Sequence, residues 1–150
     1  MIVKNSIISD PLTVAPDTTI SELIHLFIDS AHESAAVIDA NDQLLGMIGV
    51  HDIFKTIVPY YVEMDEDLMN VIHAGYFEEK YERIKNKTAR DLMVKAIDSV
   101  EPNDAVIKAV ALFVHHRRKA IPVIEGNKFI GMITRSSVLA RLRYKLEISR

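Results

Sequence analysis

The sequence predicts an α/β fold made of two copies of one β-α-β-β-α unit, packed together about a pseudo-twofold axis. Three observations carry this reading. Pro16 and Pro102 stand 86 residues apart, each followed by a polar pair and then by a stretch with helical apolar spacing. Each stretch leads into a short apolar run, a turn, and a Gly-Met-Ile triplet that starts at Gly46 in one half and Gly131 in the other. The offset is 86 residues through the helix and first long strand and 85 after the turn, so order, spacing and element type recur together.

The elements follow in order. Leu12, Thr13 and Val14 open the first copy as a short strand. Asp17 or Thr18 is the expected N-cap of the next helix, because a short polar side chain there bonds the free amides of the first turn. Ile20, Leu23, Ile24, Phe27 and Ile28 recur three and four apart and form the buried stripe of that helix. Ala35, Ala36, Val37 and Ile38 read as a buried strand, Ala40, Asn41 and Asp42 as a turn, and residues 44–48 as the returning strand. A short helix carrying Ile53 and Phe54 closes the copy. The second copy runs in parallel. It has a strand at Ile97, Asp98, Ser99 and Val100, a cap at Asn103 or Asp104, and a helix through Val106, Ala109, Val110, Phe113 and Val114. A hairpin follows, from Ile121 and Pro122 through Gly126 and Asn127 to Ile133, and then a helix with Val138 and Leu139. A small sheet of this kind has one bare apolar face, and its own duplicate is the simplest cover.

The two units are expected at residues 2–55 and 88–144, with residues 56–87 as a helical insert between them. Leu68, Val71 and Ile72 form one apolar stripe of the insert and Phe77, Tyr81 and Ile84 another, with Gly75 as the break. The insert reads either as a spacer or as a surface for dimerisation or a partner.

Composition narrows the function. Apolar residues make up 49% and charged residues 26% of the chain, and the net charge is −3, which speaks against non-specific nucleic-acid binding. There is no cysteine, so disulfides, a thiolate nucleophile and Cys-ligated zinc are excluded. The apolar runs are too short for a bilayer span and no leader pattern is seen, so a cytoplasmic protein without membrane association is expected. No metal site is expected, since none of the six histidines stands in a zinc-protease spacing. Nor does the sequence show a nucleophile, a base and an orienting group together, so an enzyme is not expected.

A candidate binding segment occurs where each hairpin runs into its closing helix. Helix N-termini offer free amides to anions, a hydroxyl can reach a sugar or phosphate, and a carboxylate can accept both hydroxyls of a ribose. Residues 46–52 end in His51 and Asp52, and residues 131–137 carry Thr134, Arg135 and Ser137. The other reading of these residues is local: Thr134 and Ser137 as helix caps, Asp52 as a first-turn acid.

Taken in this order, twice, the fragments resemble a tandem CBS-domain protein, a pair of cystathionine-beta-synthase-type domains forming a Bateman module. Thr88 to Met93 is similar to the family's lead-in segment. Ile121, Pro122, Val123 and Ile124, followed by Gly131, Met132, Ile133 and Thr134, are similar to its signature. The resemblance implies regulatory binding of AMP, ADP, ATP or S-adenosylmethionine in clefts between the units; no cofactor is expected to be required, and Mg2+ is expected only as the companion of a polyphosphate. It also implies a ribose-holding pattern of Gly, two residues, Thr or Ser, two residues, Asp. Neither copy keeps it. The first has Gly49 in place of the hydroxyl, and the second has Ser137 in place of the acid.

Unequal clefts are therefore expected. The preferred one has Asp52 and His51 with Pro11, Leu12, Thr13, Ala35 and Ala36 around the base. The other has Thr134, Arg135 and Ser137 with Ile97, Asp98, Ile121 and Pro122. The cationic run at residues 115–119 offers Arg118 and Lys119 to a phosphate tail, or is simply a solvated helix end. A homodimer and an unidentified regulated protein are the expected partners. The competing reading is a structural or interaction module with decayed clefts.

Overall fold

The computed structural model describes residues 1–149. Its first half comprises a 3-10 turn (Val3–Ser6), β1 (Thr13–Val14), α1 (Ile20–Ser30), β2 (Ser34–Ile38), β3 (Leu44–Gly49) and α2 (Val50–Ile57). The insert folds as α3 (Tyr60–Met64), a 3-10 stretch (Glu66–Val71) and α4 (Tyr76–Ile84). The second half comprises α5 (Ala89–Leu92), α6 (Val106–His115), β4 (Ala120–Glu125), β5 (Lys128–Thr134) and α7 (Arg135–Ile148). The two repeated units stand as the sequence predicts, with local departures.

The cap of α1 is Thr19, not Asp17 or Thr18. Glu22 N donates to Thr19 Oγ1 at 3.2 Å and Thr19 N donates to Glu22 Oε2 at 3.3 Å. A reciprocal pair satisfies two amides at once, which no single residue further out can do. The cap of α6 is Ala105, with no side-chain bond. Asp104 is engaged elsewhere, since its Oδ2 accepts from Glu101 N at 2.8 Å and from Lys108 Nζ at 3.0 Å. In the insert, Leu68, Val71 and Ile72 do not make an α-helical stripe. That stretch is 3-10 with no buried residue, whereas α4 seats Ile84 in the core and rests Tyr81 against it. Phe77 stays half-exposed.

In the first sheet β1 runs parallel to β2, with Val14 opposite Val37, and β2 runs antiparallel to β3. In the second, β4 and β5 form the hairpin, but the predicted strand at residues 97–100 shrinks to a single parallel bridge, Val100 to Val123. Proline explains the loss. In the first unit Ala36 N donates to Leu12 O at 3.0 Å. The repeat-equivalent residue is Pro122, which has no N–H to give Asp98. Both hairpins carry a bulge at the same place, after Val37 and after Val123.

The lead-in segments cross over. Val94 pairs with Met47 of β3, donating at 2.8 Å and accepting at 3.0 Å, while Ile8 N donates to Met132 O of β5 at 2.9 Å. The exchange is symmetric. Val3 and Lys4 N–H groups bond Asp104 and Pro102 carbonyls, and Ala89 and Arg90 N–H groups bond Thr18 and Pro16 carbonyls. Ala89 accordingly sits in the first core with Val14, Leu23, Val37 and Ile48, and Val3 in the second with Val100, Phe113, Val123 and Ile133. Each fully buried aliphatic side chain contributes roughly 1.5–3 kcal/mol. The two glycines of the repeated triplet permit the crossing. A Cβ on Gly46 would lie 2.8 Å from both Met93 Sδ and Val94 O, and one on Gly131 would collide with Ile7 Cγ2.

Candidate functional site: two unequal clefts between the repeats

The crossover decides which residues share a cleft. The larger cavity, of about 640 Å3, lies at the N-terminal end of α2, and Asp52, His51 and Met47 form one wall. The opposite wall comes from the other half: Val94, Ile97, Asp98 and Pro122, with the run from His116 to Lys119. The smaller cavity, of about 380 Å3, is lined by Leu12, Ala31, His32, Thr134, Arg135 and Ser136. Both volumes fall in the range of small-molecule sites. Glu33, Ser34, Lys119 and Ala120 line both cavities, and Glu33 and Lys119 are repeat equivalents.

This corrects the expected grouping. Leu12 does not accompany Asp52; it lines the Thr134 cavity, while Ile97, Asp98 and Pro122 accompany Asp52. The reason is the pairing of Val94 with Met47, which draws the second copy's lead-in across to the first copy's helix end. Thr13, Ala36, Ile121 and Ser137 line neither cavity. Ala36 and Ile121 are wholly buried. Arg118 and Lys119 face the larger cavity and Arg135 the smaller. Phe54, His116 and Arg117 of the larger cavity, and Ala31, His32 and Ser136 of the smaller, were not picked out as ligand residues. Mapping each predicted residue through the repeat offset would have found several, because His32 is the equivalent of Arg118, Ser136 of His51 and Glu33 of Lys119.

Asp52 has a defined posture. Its Oδ2 accepts a hydrogen bond from Gly49 N at 2.7 Å, which caps α2 and fixes the carboxylate. No bond to Oδ1 is made by the described residues. Across the cavity Asp98 Oδ2 accepts from His116 Nδ1 at 2.8 Å and from Arg118 Nε at 2.9 Å. The His116 hydrogen bond holds the Asp98 carboxyl below its ordinary range; partial burial opposes this and Arg118 reinforces it. The clamp sets the angle at which the Arg118 guanidinium stands, with its terminal nitrogens unbonded by any described residue.

The Thr134 end is self-contained. Ser137 N donates to Thr134 Oγ1 at 3.0 Å, Thr134 N donates to Ser137 Oγ at 2.9 Å, and Ser137 Oγ donates to Thr134 O at 2.9 Å. Of the two readings left open by the sequence, the geometry is that of a cap, and the Ser137 hydroxyl gives its one hydrogen to it. His32 Nε2 lies 2.8 Å from Asp10 O, which turns it toward the chain's own backbone. Among the described residues no cluster of three or more His, Asp or Glu is placed to hold a metal ion, and no helix is long and apolar enough to cross a membrane.

Two repeated half-units that together line two unequal clefts define the class, and comparison with known proteins agrees. The CBS domain family model matches twice, at residues 3–59 and 89–144. The chain belongs to the CBS domain family, as a tandem pair of the Bateman-module type. It is 30% identical to protein MJ1426 of Methanocaldococcus jannaschii, across 95% of this chain and 91% of that one. The Vibrio cholerae protein designated AcuB superposes with a TM-score of 0.76 at 18% identity, covering 99% of this chain and 95% of that chain. CBSX2, solved in complex with AMP, superposes with a TM-score of 0.71 at 20% identity, covering 99% and 98%. At these identities the two structures speak for the fold.

Proposed function

We propose that this chain is a regulatory module that binds an adenosine nucleotide in the larger cleft and passes its occupancy to a partner protein. The observation that carries the reading is the meeting of Asp52 from one half with Arg118 and Lys119 from the other in one cavity. A carboxylate suits the two hydroxyls of a ribose, and a guanidinium suits phosphate oxygens. Ile97 and Pro122 supply apolar surface for a base. That CBSX2 was crystallised with AMP supports the ligand class. AMP, ADP, ATP (with Mg2+) and S-adenosylmethionine are the candidates, and a cytoplasmic homodimer belongs to the same proposal. A ligand would act only through unequal affinity for two arrangements of the halves.

Titration calorimetry with the four ligands tests this. At least one is expected to bind, with affinity about 10- to 150-fold weaker in Asp52→Ala, the effect of losing a charged hydrogen bond of roughly 1.5–3 kcal/mol. Binding unchanged by the substitution would remove Asp52 from the ribose. Failure of all four would favour an interaction module with decayed clefts, a reading the self-engaged Ser137 already supports for the smaller cavity.

A further inference from the structure

We infer that Asp98 sets the charge of the ligand that the larger cleft accepts, favouring a nucleoside monophosphate over the corresponding triphosphate. The inference rests on the nucleotide reading of that cleft and adds the property by which it chooses among the candidates.

A nucleotide whose ribose lies on Asp52 points its phosphates at the wall formed by the other half, where Asp98 stands with Arg118 and Lys119. The Asp98 side chain is 23% exposed, so its charge reaches the cavity. Its Oδ2 accepts both hydrogen bonds of the clamp, from His116 Nδ1 and Arg118 Nε, and no described residue bonds its Oδ1. The His116 hydrogen bond keeps the carboxyl below its ordinary range, and Asp98 is therefore ionised at neutral pH.

The fixed charges of the cleft then cancel. Arg117, Arg118 and Lys119 are matched by Glu33, Asp52 and Asp98. Arg118 is matched in direct contact. Its terminal N–H groups can still donate to a phosphate oxygen, but Asp98 already compensates its charge. One phosphate group can be met by these donors together with Lys119. Each further phosphoryl group brings more negative charge beside Asp98 with no added cation to offset it, and like charges in a confined cleft repel strongly. The smaller cavity shows the contrast. It carries Lys119 and Arg135 against Glu33 alone, and the repeat equivalent of Asp98 there is Leu12. The restriction thus belongs to Asp98 and not to the repeat.

Titration calorimetry of the full chain with AMP and ATP tests this, at about pH 8 to keep histidine charge out of the comparison. The wild-type chain is expected to bind AMP at least about tenfold more tightly than magnesium-free ATP. Asp98→Asn keeps an acceptor for His116 and Arg118 and removes the charge. It should cut that ratio about tenfold by raising ATP affinity. Added Mg2+ neutralises phosphate charge and should narrow the ratio more in the wild-type chain than in Asp98→Asn. Equal weakening of both nucleotides in Asp98→Asn would make the residue a positioning group for Arg118 and overturn the inference. ATP bound by the wild-type chain as tightly as AMP would overturn it too, and in both cases the nucleotide reading of the cleft stands. A chain that binds neither nucleotide overturns it as well, and S-adenosylmethionine binding then tells whether the wider reading survives.

Discussion

Asp98 accepts a hydrogen bond from His116 Nδ1 at 2.8 Å, tying the lead-in of the second unit to the end of α6 at the rim of the larger cleft. Arg118 shares the same carboxylate oxygen. The repeat equivalents of Asp98 and Arg118 are Leu12 and His32, so the first unit has no such tie.

The tie should be visible in acid. The folded-state pKa of Asp98 lies below its unfolded value, so its stabilisation is present above the ordinary carboxylate pKa of about 3.9 and is lost as pH falls through the lower folded value. Its partners are about half exposed, which keeps the contribution below about 1 kcal/mol. Asp98→Asn is expected to lower neutral-pH stability by that amount and to flatten the stability loss below about pH 4. Urea unfolding across pH measures both, and an unaltered acid slope would count against the tie.

Ala31, the C-cap of α1, and Arg117, the residue after the C-cap of α6, are equivalents and both lie in the left-handed region, at φ 57° and φ 53°. A side chain there costs energy that glycine does not incur. Ala31→Gly is expected to raise stability by about 0.5–1 kcal/mol, after allowing for glycine's looser unfolded chain. Arg117→Gly should stabilise similarly while removing a cation from the larger cleft, so only the second change should reach anion affinity. Melting curves paired with calorimetry separate the two.

The glycines of the repeated triplet should differ in how they can be rescued. Gly131→Ala presses on the Ile7 side chain, and Gly46→Ala presses on Met93 Sδ and also on the Val94 carbonyl. Each substitution is expected to cost about 1–3 kcal/mol. Ile7→Ala should recover much of the Gly131→Ala loss. Met93→Ala should recover little for Gly46→Ala, because a strand carbonyl cannot be trimmed. A double-mutant cycle at each pair gives the comparison.

Thr134 belongs to the frame of α7. Thr134→Val removes the acceptor for Ser137 N and is expected to cost about 1 kcal/mol. It should leave nucleotide affinity at the Asp52 cleft unaltered, and a large loss there would move the ligand to the smaller cavity.

What the sequence reveals depends on whether a signal lies within one copy. Apolar spacing through Leu23 and Phe27, or Ala109 and Phe113, is local, and so the helices and hairpins are readable from it. The partnership of Asp52 with Asp98 is not local. It follows from Val94 crossing to Met47, and assuming that each copy builds its own cleft places Leu12 on the wrong side. Pro122 could have warned that the strand at residues 97–100 would be short, since its missing N–H is plain in the sequence. The left-handed turns at Ala31 and Arg117 carry no such sign, because neither residue is the glycine or asparagine that usually marks one.

The exchanged lead-in segments make the duplication a thermodynamic unit. Val3 completes the core of the later half and Ala89 that of the earlier, so a fragment cut within the insert would leave each core missing a wall. Heating should therefore melt the chain in one transition with matching calorimetric and van't Hoff enthalpies, although it contains two cores. Fragments severed in the insert should regain structure only when mixed. Each repeat in effect acts as the other's obligatory folding template.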